Sequence, residues 1–523
     1  MKQRNILPLV GAASALCLPS IAQTQQPNIV YVIPDQLRNC SLHFWDDAPY
    51  SAYTRCAADP TITPALDAFA AQSVVLSEAH STCPVSSPYR GMMLTGMFPE
   101  RNGVTLNCMN QRPESTLSPD AVCISDVLSQ AGYDCAYIGK LHADFPTRNN
   151  PQRPGTYVVD GDEVWDAYTP PERRHGFNYW YSYGTYDVHK HPHYWDTEGN
   201  RHDIDEWSPK HEVDRAIAYL DNEGGVRDAS KPFFMMIAMN PPHAPYRSTE
   251  DCMEEDYALY RGKSVSELLV RPNADTTMSK ARSAAYYFAS VTGVDREFGR
   301  LLEALEARGL DGNTIVVFTS DHGETMCSHS LRDPKNSIYR ESFNVPFLIR
   351  YPGVLQPRVD DLMLSTTDIM PTLLSLAGLG NSIPASVEGR DLAPALRTAG
   401  EGERPRSALY IRNLNGRRDS DGMVRGIFPE ARGIKTGRYT MEIAIDRKRA
   451  VKLIRLFDDA NDPYQLSPLD AEANRELTAG LCAELGAELK RSNDIWYRER
   501  ILEELIPYGD APQKTETPGN KQP

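Results

Sequence analysis

The sequence predicts an α/β protein: a large, mostly parallel β-sheet sandwiched by helices, followed by a smaller α+β C-terminal subdomain with an antiparallel sheet. Short, continuously apolar runs alternate with segments of helical periodicity as far as about Gly380, which is typical of parallel strands buried on both faces. Beyond that point proline, glycine and charged residues dominate to about Arg406, and further strand-like runs follow. A chain of 523 residues is long enough for more than one such unit.

The elements of the larger sheet follow in chain order. Residues 28–33 (Asn-Ile-Val-Tyr-Val-Ile) form an apolar run that predicts a buried strand. Thr63-Pro64 is typical of a helix start, and we expect a helix over 64–73. Residues 285–308 carry apolar side chains at helical spacing and predict a long amphipathic helix. The other predicted elements are a helix at 125–131 and strands at 74–78, 134–139, 232–239, 314–320 and 345–349.

The C-terminal subdomain is predicted to contain a small sheet closed by a helix. Its predicted elements are strands at 407–411, 432–443 and 451–457 and a helix at 477–490. The whole chain is thereby divided into a signal peptide (1–22), an α/β domain (23–385), the α+β subdomain (386–509) and a polar, proline-bearing tail (510–523) that we expect to be disordered.

The first residues predict export. Lys2 and Arg4 precede an apolar run at 6–18 that is too short to span a bilayer, and Ser20-Ile21-Ala22 has the small-x-small pattern of a cleavage site. We expect a periplasmic protein without a membrane span. Nine of the ten cysteines remain after cleavage, so at least one thiol stays free, and one or two disulfides are expected in that oxidising compartment.

The charge balance excludes some partners. The formal net charge is −15, and loss of two positive residues, Lys2 and Arg4, makes it −17. An acidic surface opposes binding to nucleic acid and repels long polyanions. A small anionic substrate would therefore need a locally basic pocket.

Polar side chains follow three of the predicted strands. Asp35-Gln36, His243 and Asp321-His322 stand at these positions, and sites in parallel sheets form beyond the carboxyl ends of strands. Oxygen-rich ligands suit Ca²⁺ or Mg²⁺ better than zinc. The alternative for each pair is an ordinary turn or cap after a strand.

Residues 86–91 read Ser-Ser-Pro-Tyr-Arg-Gly. Only Ser86 has Pro88 at +2 and Arg90 at +4; the nearby Cys83 lacks both. The pattern resembles the Ser/Cys-x-Pro-x-Arg signature of type I sulfatases of the alkaline phosphatase superfamily, and the chain resembles their bacterial carbohydrate-active members over most of its mature length. Taken alone, the six residues also fit a turn followed by a helix.

The resemblance implies a modified residue and a metal. Ser86 would be oxidised to formylglycine (3-oxoalanine) by an anaerobic-type maturase, because the chain has the serine form of the signature. One divalent cation, usually Ca²⁺ with Mg²⁺ as the alternative, would be held by Asp35, Gln36, Asp321, His322 and the modified Ser86. Gln36 stands where the commonest family form has a second aspartate.

The resemblance also implies the remaining site residues. Gly139-Lys140-Leu141-His142 is similar to the family's Gly-Lys-Trp-His segment, in which the lysine contacts sulfate and the histidine takes a proton from the hydrated formylglycine. The proline-flanked His243 would contact sulfate and protonate the leaving oxygen, Lys335 would contact sulfate from the far side, and Arg90 would steady the nucleophile. The implied reaction passes through a covalent sulfoenzyme.

The substrate is less constrained by the sequence. Residues 180–207 are rich in aromatic and histidine residues and predict either a glycan-binding wall or a long ordered loop. His189, His191 and His193 alternate as in a zinc site, but no cysteine or acid cluster completes one. Arg412, Asn413, Arg417 and Arg418 are candidates to close the pocket. General resemblance suggests exo action on a glycan carrying galactose or N-acetylgalactosamine 4-sulfate.

Two alternatives remain open from the sequence. A phosphodiesterase or phosphonate hydrolase of the same superfamily would use similar residues with different metals, and a non-catalytic protein that binds sulfated glycans would keep the pocket without turnover. The oligomeric state does not follow from the sequence.

Overall fold

The computed structural model describes residues 26–146, 164–413, 416–418, 424–426 and 429–506. The predicted signal peptide and the predicted disordered tail lie outside these residues. Among the described helices, none is both long and apolar enough to cross a bilayer. The limits of the α/β domain and the C-terminal subdomain, placed between residues 385 and 386, stay a prediction.

The α/β part is built on one large sheet, as predicted. Within the described residues, twelve strands precede residue 400. They are β1 (Asn28–Val32), β2 (Val74–Leu76), β3 (Ala79–His80), β4 (Asp134–Lys140), β5 (Tyr179–Tyr183), β6 (His193–Trp195), β7 (Arg201–Asp203), β8 (Phe233–Ala238), β9 (Thr314–Thr319), β10 (Phe347–Arg350), β11 (Arg358–Asp360) and β12 (Leu364–Ser365).

Ten of these strands form one sheet in the order β11-β2-β10-β9-β1-β8-β4-β5-β6-β7, and β3 pairs with β12 separately. The five central strands, β9-β1-β8-β4-β5, are mutually parallel. Antiparallel neighbours join at both sides, through β10 and through β6 and β7. The carboxyl ends of four adjacent parallel strands, β9, β1, β8 and β4, therefore meet at one edge.

Helices cover both faces of the sheet. The described helices before residue 400 are α1 (Ser51–Thr54), α2 (Pro64–Ala70), α3 (Ser86–Thr95), α4 (Pro99–Asn102), α5 (Ile124–Gln130), α6 (Ser208–Leu220), α7 (Glu254–Ala258), α8 (Val265–Leu268), α9 (Ala284–Ala307), α10 (Arg340–Phe343), α11 (Ile369–Leu376) and α12 (Ala393–Arg397). Val30 and Val32 of β1 pack toward α2, α6 and α9, whereas Ile29 and Tyr31 pack toward α3, α5 and α11. This alternation is the two-residue period of a strand buried on both faces.

The C-terminal part is a small antiparallel sheet with a closing helix, as predicted. Its described elements are β13 (Ser407–Arg412), β14 (Gly416–Arg418), β15 (Val424–Gly426), β16 (Ala431–Thr436), β17 (Tyr439–Ile445), β18 (Val451–Asp458), α13 (Arg475–Arg491) and α14 (Ile495–Arg498). The main sheet has the order β13-β16-β17-β18. The single strand predicted at 432–443 was wrong: Gly437-Arg438 forms a turn, and the run folds into the antiparallel pair β16 and β17.

Two other expectations are corrected by the fold. Residues 180–207 are not one long loop, because they contain most of β5 and all of β6 and β7. All nine cysteines in the described part of the chain are free thiols, so neither expected disulfide is present. Seven of them are buried, which is the usual state of a cysteine that acts as a small apolar core residue.

Candidate active site

The predicted site residues converge at the edge where the parallel strands end. Asp35 and Gln36 follow β1, Asp321 and His322 follow β9, Lys140 ends β4, and His243 follows β8. These four strands are neighbours in the sheet. The structure therefore brings these predicted residues together at the carboxyl edge of the sheet.

Ser86 occupies the first position of α3 and has no exposed surface. Its Oγ lies 3.4 Å from Oδ1 of Asp35 and 3.1 Å from Nε2 of His322. Cys83, three residues earlier, is instead packed in an apolar cluster with the C-terminal sheet. The register of the signature thus places the serine, and not the cysteine, among the polar groups.

Arg90 lies one helical turn beyond Ser86 and donates hydrogen bonds to residues at the ends of three strands. Its Nη2 donates to Oδ2 of Asp35 at 3.3 Å and to Oδ2 of Asp321 at 3.2 Å. Its Nη1 donates to the main-chain oxygen of Lys140 at 2.7 Å. One buried guanidinium therefore fixes the ends of three strands, which a planar group with several donors can do.

Without a bound cation, the positive groups around Asp35 and Asp321 favour ionisation of Asp35 but not of Asp321. Burial opposes ionisation of Asp35, but Lys140, at 2.8 Å, and other cations hold its pKa well below the usual range. Burial and the negative charge of Asp35 raise the pKa of Asp321 to about 7. A bound divalent cation would remove this conflict, because it allows both buried carboxylates to be ionised.

His322 is prepared to act as a neutral ligand. Its Nδ1 lies 3.0 Å from the main-chain oxygen of Gly323, so Nδ1 carries the proton and Nε2 presents a lone pair toward Ser86 and Asp35. Burial, followed by the nearby charge of Lys335, lowers the pKa of His322 to about 3. Nε2 is therefore unprotonated at neutral pH.

Gln36 completes a set of groups that fits a hard cation. One ligand atom each from Asp35, Asp321 and His322 lies within 4.8 Å of the others. Gln36 adopts a left-handed conformation, with φ of 66°, and its buried Oε1 has no hydrogen-bond partner among the described residues. Two carboxylates, one neutral imidazole and an orphan amide oxygen fit Ca²⁺ or Mg²⁺.

A second cluster of metal-binding residue types lies elsewhere. Ligand atoms of Cys123, Asp126 and His175 also lie within 4.8 Å of one another. Cys123 and Asp126 are already paired as the capping box that starts α5. We therefore interpret this cluster as a helix cap.

A cavity of about 460 Å³ opens beside the buried cluster. That volume lies in the range of about 300–1,000 Å³ typical of small-molecule sites. Lys140, His142, His243 and Lys335 contribute its basic wall. The other lining residues are Asn107, Val164, Trp165, Asp166, Thr185, Tyr186 and Asp187.

His142 faces this cavity with no partner in the described structure for either buried ring nitrogen. Its backbone is left-handed, with φ of 42°, and its ring lies 6.1 Å from that of Trp165. Burial, with Lys140 and Arg90 next in effect, lowers its pKa well below the usual range. An unpartnered neutral imidazole at a cavity wall is suited to accept a proton.

His243 and Lys335 are in direct contact on the same wall. Nε2 of His243 lies 3.1 Å from Nζ of Lys335, and its Nδ1 lies 2.7 Å from the main-chain oxygen of Ala244. Burial, with the positive charges of Lys335 and Lys140, lowers the pKa of His243 well below its usual range. Both ring nitrogens are therefore held in fixed directions.

Several residues of the site were not identified from the sequence. Asn240 accepts a hydrogen bond from Nζ of Lys140 at 3.0 Å and donates to the main-chain oxygen of Tyr186 at 2.8 Å. Its place directly after β8, in the segment that contains His243, was a usable signal. Trp165 and Asp166 carry no comparable local pattern.

The aromatic segment 180–207 contributes to both the core and the cavity. Tyr181 stacks on Tyr194 with ring centroids 4.8 Å apart, whereas Thr185, Tyr186 and Asp187 line the cavity. The three alternating histidines do not share a ligand set. Their separate partners are the main-chain oxygen of Asp251 for His189, Asp205 for His191 and Asp166 for His193.

The C-terminal residues expected to close the pocket have structural contacts. Arg412 is buried and pairs with Glu442 at 3.1 Å, and Nδ2 of Asn413 donates to the main-chain oxygen of Thr105 at 3.0 Å. The side chains of Arg417 and Arg418 lie outside the described part of the chain. Asn413 thus joins the two parts of the protein, as does Arg412 through Nη1, which donates to the main-chain oxygen of Asn336 at 3.5 Å.

Comparison with known proteins agrees with this geometry. Residues 27–379 match the family model described as Sulfatase, and residues 328–492 match N-sulphoglucosamine sulphohydrolase, C-terminal. Over 488 residues the chain is 58% identical to a Bacteroides thetaiotaomicron protein named Endo-4-O-sulfatase, covering 93% of this chain and 96% of the relative. A Formosa agariphila protein named Ulvan-active sulfatase is 31% identical, covering 91% of this chain and 84% of the relative.

A solved structure from work on the metabolism of multiple glycosaminoglycans by Bacteroides thetaiotaomicron superposes with a TM-score of 0.90. It is 58% identical and covers 92% of this chain and 100% of that chain. The match extends over both the large sheet and the C-terminal part. The chain therefore belongs to the sulfatase family and is a sulfuric ester hydrolase.

Proposed function

We propose that the protein removes 4-O-sulfate groups from sulfated glycans, including groups on sugars within a chain. The observation that carries this proposal is the 58% identity, over 93% of the chain, to a relative named Endo-4-O-sulfatase. The cavity supports it, because two lysines and two histidines line a space of about 460 Å³ beside Ser86 and its buried partners.

Position 4 agrees with our expectation from the sequence, and galactose or N-acetylgalactosamine remains the sugar that we favour. Exo action, also expected from the sequence, has no support in the name of that relative. We therefore favour internal sugars over chain ends. Asp187, whose side chain is 66% exposed, lies on the cavity wall and marks its opening to solvent.

The proposal includes a modified residue and a metal. Ser86 would be converted to formylglycine by an anaerobic-type maturase, and one divalent cation, Ca²⁺ before Mg²⁺, would be held by Asp35, Gln36, Asp321, His322 and the modified Ser86. When bound, such a cation supplies Lewis-acid polarisation of sulfate oxygens. The orphan Oε1 of Gln36 and the close approach of Asp35, Asp321 and His322 support this set.

The chain's own residues account for binding and proton transfer. Lys140 and Lys335 would hold the non-bridging sulfate oxygens by charge, since both line the cavity. His243 would protonate the leaving sugar oxygen through Nε2 in the form of the protein in which that nitrogen has taken up a proton. His142, whose ring nitrogens are unpartnered among the described residues, would accept the proton released from the modified Ser86 when sulfate departs. Arg90 would keep Asp35, Asp321 and Lys140 in register.

The basic start of the chain and its short apolar run support export to the periplasm as part of the same proposal. Substrates would then be saccharides that enter that compartment. The acidic overall charge would slow the approach of a long sulfated glycan, and the basic wall formed by Lys140 and Lys335 would offset that repulsion at the cavity.

Sulfate release from 4-O-sulfated galactosaminoglycan polymers and from the matching disaccharides would test the proposal. The protein would be co-expressed with a serine-type maturase, and formylglycine at Ser86 would be verified by peptide mass. We expect release from the intact polymer in proportion to its total 4-sulfate. Release limited to chain ends would support exo action, and release from phosphate diesters in place of sulfate esters would support the phosphorus-directed alternative. Tight glycan binding by the modified protein without turnover would support a binding protein.

A further inference from the structure

Glu324 is a fully buried carboxylate on the far side of Gln36. Its Oε1 accepts from Nζ of Lys280 at 2.6 Å and from the main-chain nitrogen of Met326 at 2.9 Å. Its Oε2 accepts from Nε2 of Gln36 and from the hydroxyl of Tyr246 at 2.8 Å. Both oxygens are therefore fully used by donors, and the salt bridge to Lys280 balances the charge.

This contact decides which way the Gln36 amide points. An amide has a donor end and an acceptor end, whereas an ionised carboxylate only accepts. The NH₂ group of Gln36 must therefore face Glu324, and its Oε1 lies at the opposite end. Oε1 of Gln36 is buried and has no hydrogen-bond partner in the described structure. The backbone of Gln36 is held beside the acids, since its main-chain nitrogen donates to Oδ1 of Asp321 at 3.0 Å.

We propose that Glu324, held by Lys280, is a positioning residue that requires an amide at position 36 and presents the Gln36 oxygen to the cation. An acid at position 36 would instead face Glu324 as a second buried carboxyl group. Either the two negative charges would repel each other or one group would have to take up a proton, and both are costly in a low-dielectric interior. This inference rests on the cation site proposed above.

The amide of Gln36 and the carboxylate of Glu324 can be exchanged by substitution, because glutamine and glutamate side chains have nearly the same shape. The variant Glu324→Gln places two amides face to face, so the Gln36 oxygen can turn away from the cation to accept a hydrogen bond. The variant Gln36→Glu places two carboxylates face to face. The double variant Q36E/E324Q restores one donor opposite one acceptor. A matched control is Glu212→Gln, because Glu212 is equally buried but is bonded to Tyr194 at 3.0 Å.

The test uses the full chain stripped of metal, with Ca²⁺ binding measured by calorimetry and thermal unfolding measured without metal. We expect Glu324→Gln to weaken Ca²⁺ binding by about tenfold, as loss of an outer-shell partner does. Gln36→Glu should lower the unfolding temperature of the metal-free protein, and the double variant should recover most of that loss. Glu212→Gln should bind Ca²⁺ like the wild type.

Two results would overturn this assignment. One is Ca²⁺ affinity that does not respond to Glu324→Gln, and the other is a double variant whose unfolding temperature falls by the sum of the two single effects. Failure of the wild type to bind either Ca²⁺ or Mg²⁺ would instead overturn the proposed cation site on which the inference rests.

Discussion

Lys335 holds His243 as a neutral imidazole with its lone pair turned toward the lysine. An ammonium group has only donors, so Nε2 of His243 must accept at the observed 3.1 Å. Nδ1 then carries the proton and donates to the main-chain oxygen of Ala244 at 2.7 Å. The same nitrogen that would protonate the leaving oxygen is therefore directed at a cation in the substrate-free protein.

The first prediction concerns Lys335→Met. Burial, and after it the charge of Lys335, depresses the pKa of His243. Removing the lysine should therefore raise that pKa. In a plot of kcat/KM against pH, the decline that reports loss of the His243 proton should then move to higher pH. The loss of a charged donor to sulfate should lower kcat/KM by roughly 10²-fold. Steady-state kinetics from pH 5 to pH 9 would measure both effects.

A suitable control for that variant is Lys210→Met, since Lys210 makes surface contacts with Glu206 and Asp214. It should leave the pH profile unchanged. If the pH profile of Lys335→Met does not shift, the contact between Lys335 and His243 does not contribute to the depressed pKa of His243.

The second prediction concerns Ser86→Ala. We expect no detectable turnover and a nearly unchanged unfolding temperature, because the side chain makes only a 3.1 Å and a 3.4 Å contact within the site. Ser87→Ala is the control: its Oγ accepts from the main-chain nitrogen of Cys108 at 3.0 Å, so it should cost about 1 kcal/mol of stability while turnover remains. Sulfate release and thermal unfolding of both variants would decide the matter, and turnover by Ser86→Ala would refute the central role of this residue.

The third prediction concerns His142→Ala. Since His142 is proposed to act after the sugar has left, the variant should release about one equivalent of desulfated sugar per protein in a burst and then stop. Rapid-quench measurement of sugar and free sulfate in parallel would show the burst as an excess of sugar over sulfate. Equal, slow release of both products would place His142 before the departure of the sugar.

The fourth prediction concerns stability and pH at Glu78. Burial opposes ionisation of this carboxyl, but Lys435, His80 and Arg340 hold its pKa below the usual value of 4.5. Its stabilising effect is therefore complete above the pKa of the unfolded chain and is lost as pH falls through the lower pKa of the folded state. Glu78→Gln should cost about 3 kcal/mol at pH 7, and that difference should shrink below about pH 4.5.

Urea unfolding of wild type and variant at pH 7, 5 and 4 would test this dependence. Glu472→Gln is the control, because Glu472 is exposed and should change the free energy of unfolding little at any pH. A difference for Glu78→Gln that grows as the pH falls would have the wrong sign for the ion pairs described.

The fifth prediction concerns Trp165→Ala. Trp165 lines the cavity beside His142 and offers a flat apolar surface to a sugar ring. We expect KM for a sulfated glycan to rise about tenfold, while kcat/KM for a small aryl sulfate changes little. Equal losses on both substrates would show that the tryptophan supports His142 and not the sugar.

Some of this site could be predicted from the sequence and some could not. Asp35, Asp321 and His243 were expected at one edge because each comes after a predicted strand and neighbouring parallel strands end at one edge, and the structure brings them together there. Ser86 and Arg90 were identified because residues 86–91 resemble the Ser/Cys-x-Pro-x-Arg signature, and the structure places both at the buried cluster. In these cases the local pattern alone determines the position.

Other features depend on contacts between distant parts of the chain. The orientation of Gln36 depends on Glu324, 288 positions away, and no local pattern encodes that contact. Trp165 lies in the segment before β5 and lines the cavity at the sheet edge, a position that no local sequence pattern indicates. The turn at Gly437-Arg438 was missed although Gly437 offered a local turn signal and the alternation of apolar residues shifts there, from Ile434 to Met441 and Ile443.

The complete burial of Ser86 bears on whether its proposed oxidation comes before or after folding. A maturase needs access to the side chain, and the folded chain offers none, because Ser86 has no exposed surface. The oxidation of Ser86 that we propose would therefore have to come before β1, β9 and α3 assemble. Under that proposal, protein that folds with an unmodified serine would stay inactive, and treating the folded protein with maturase would not rescue it.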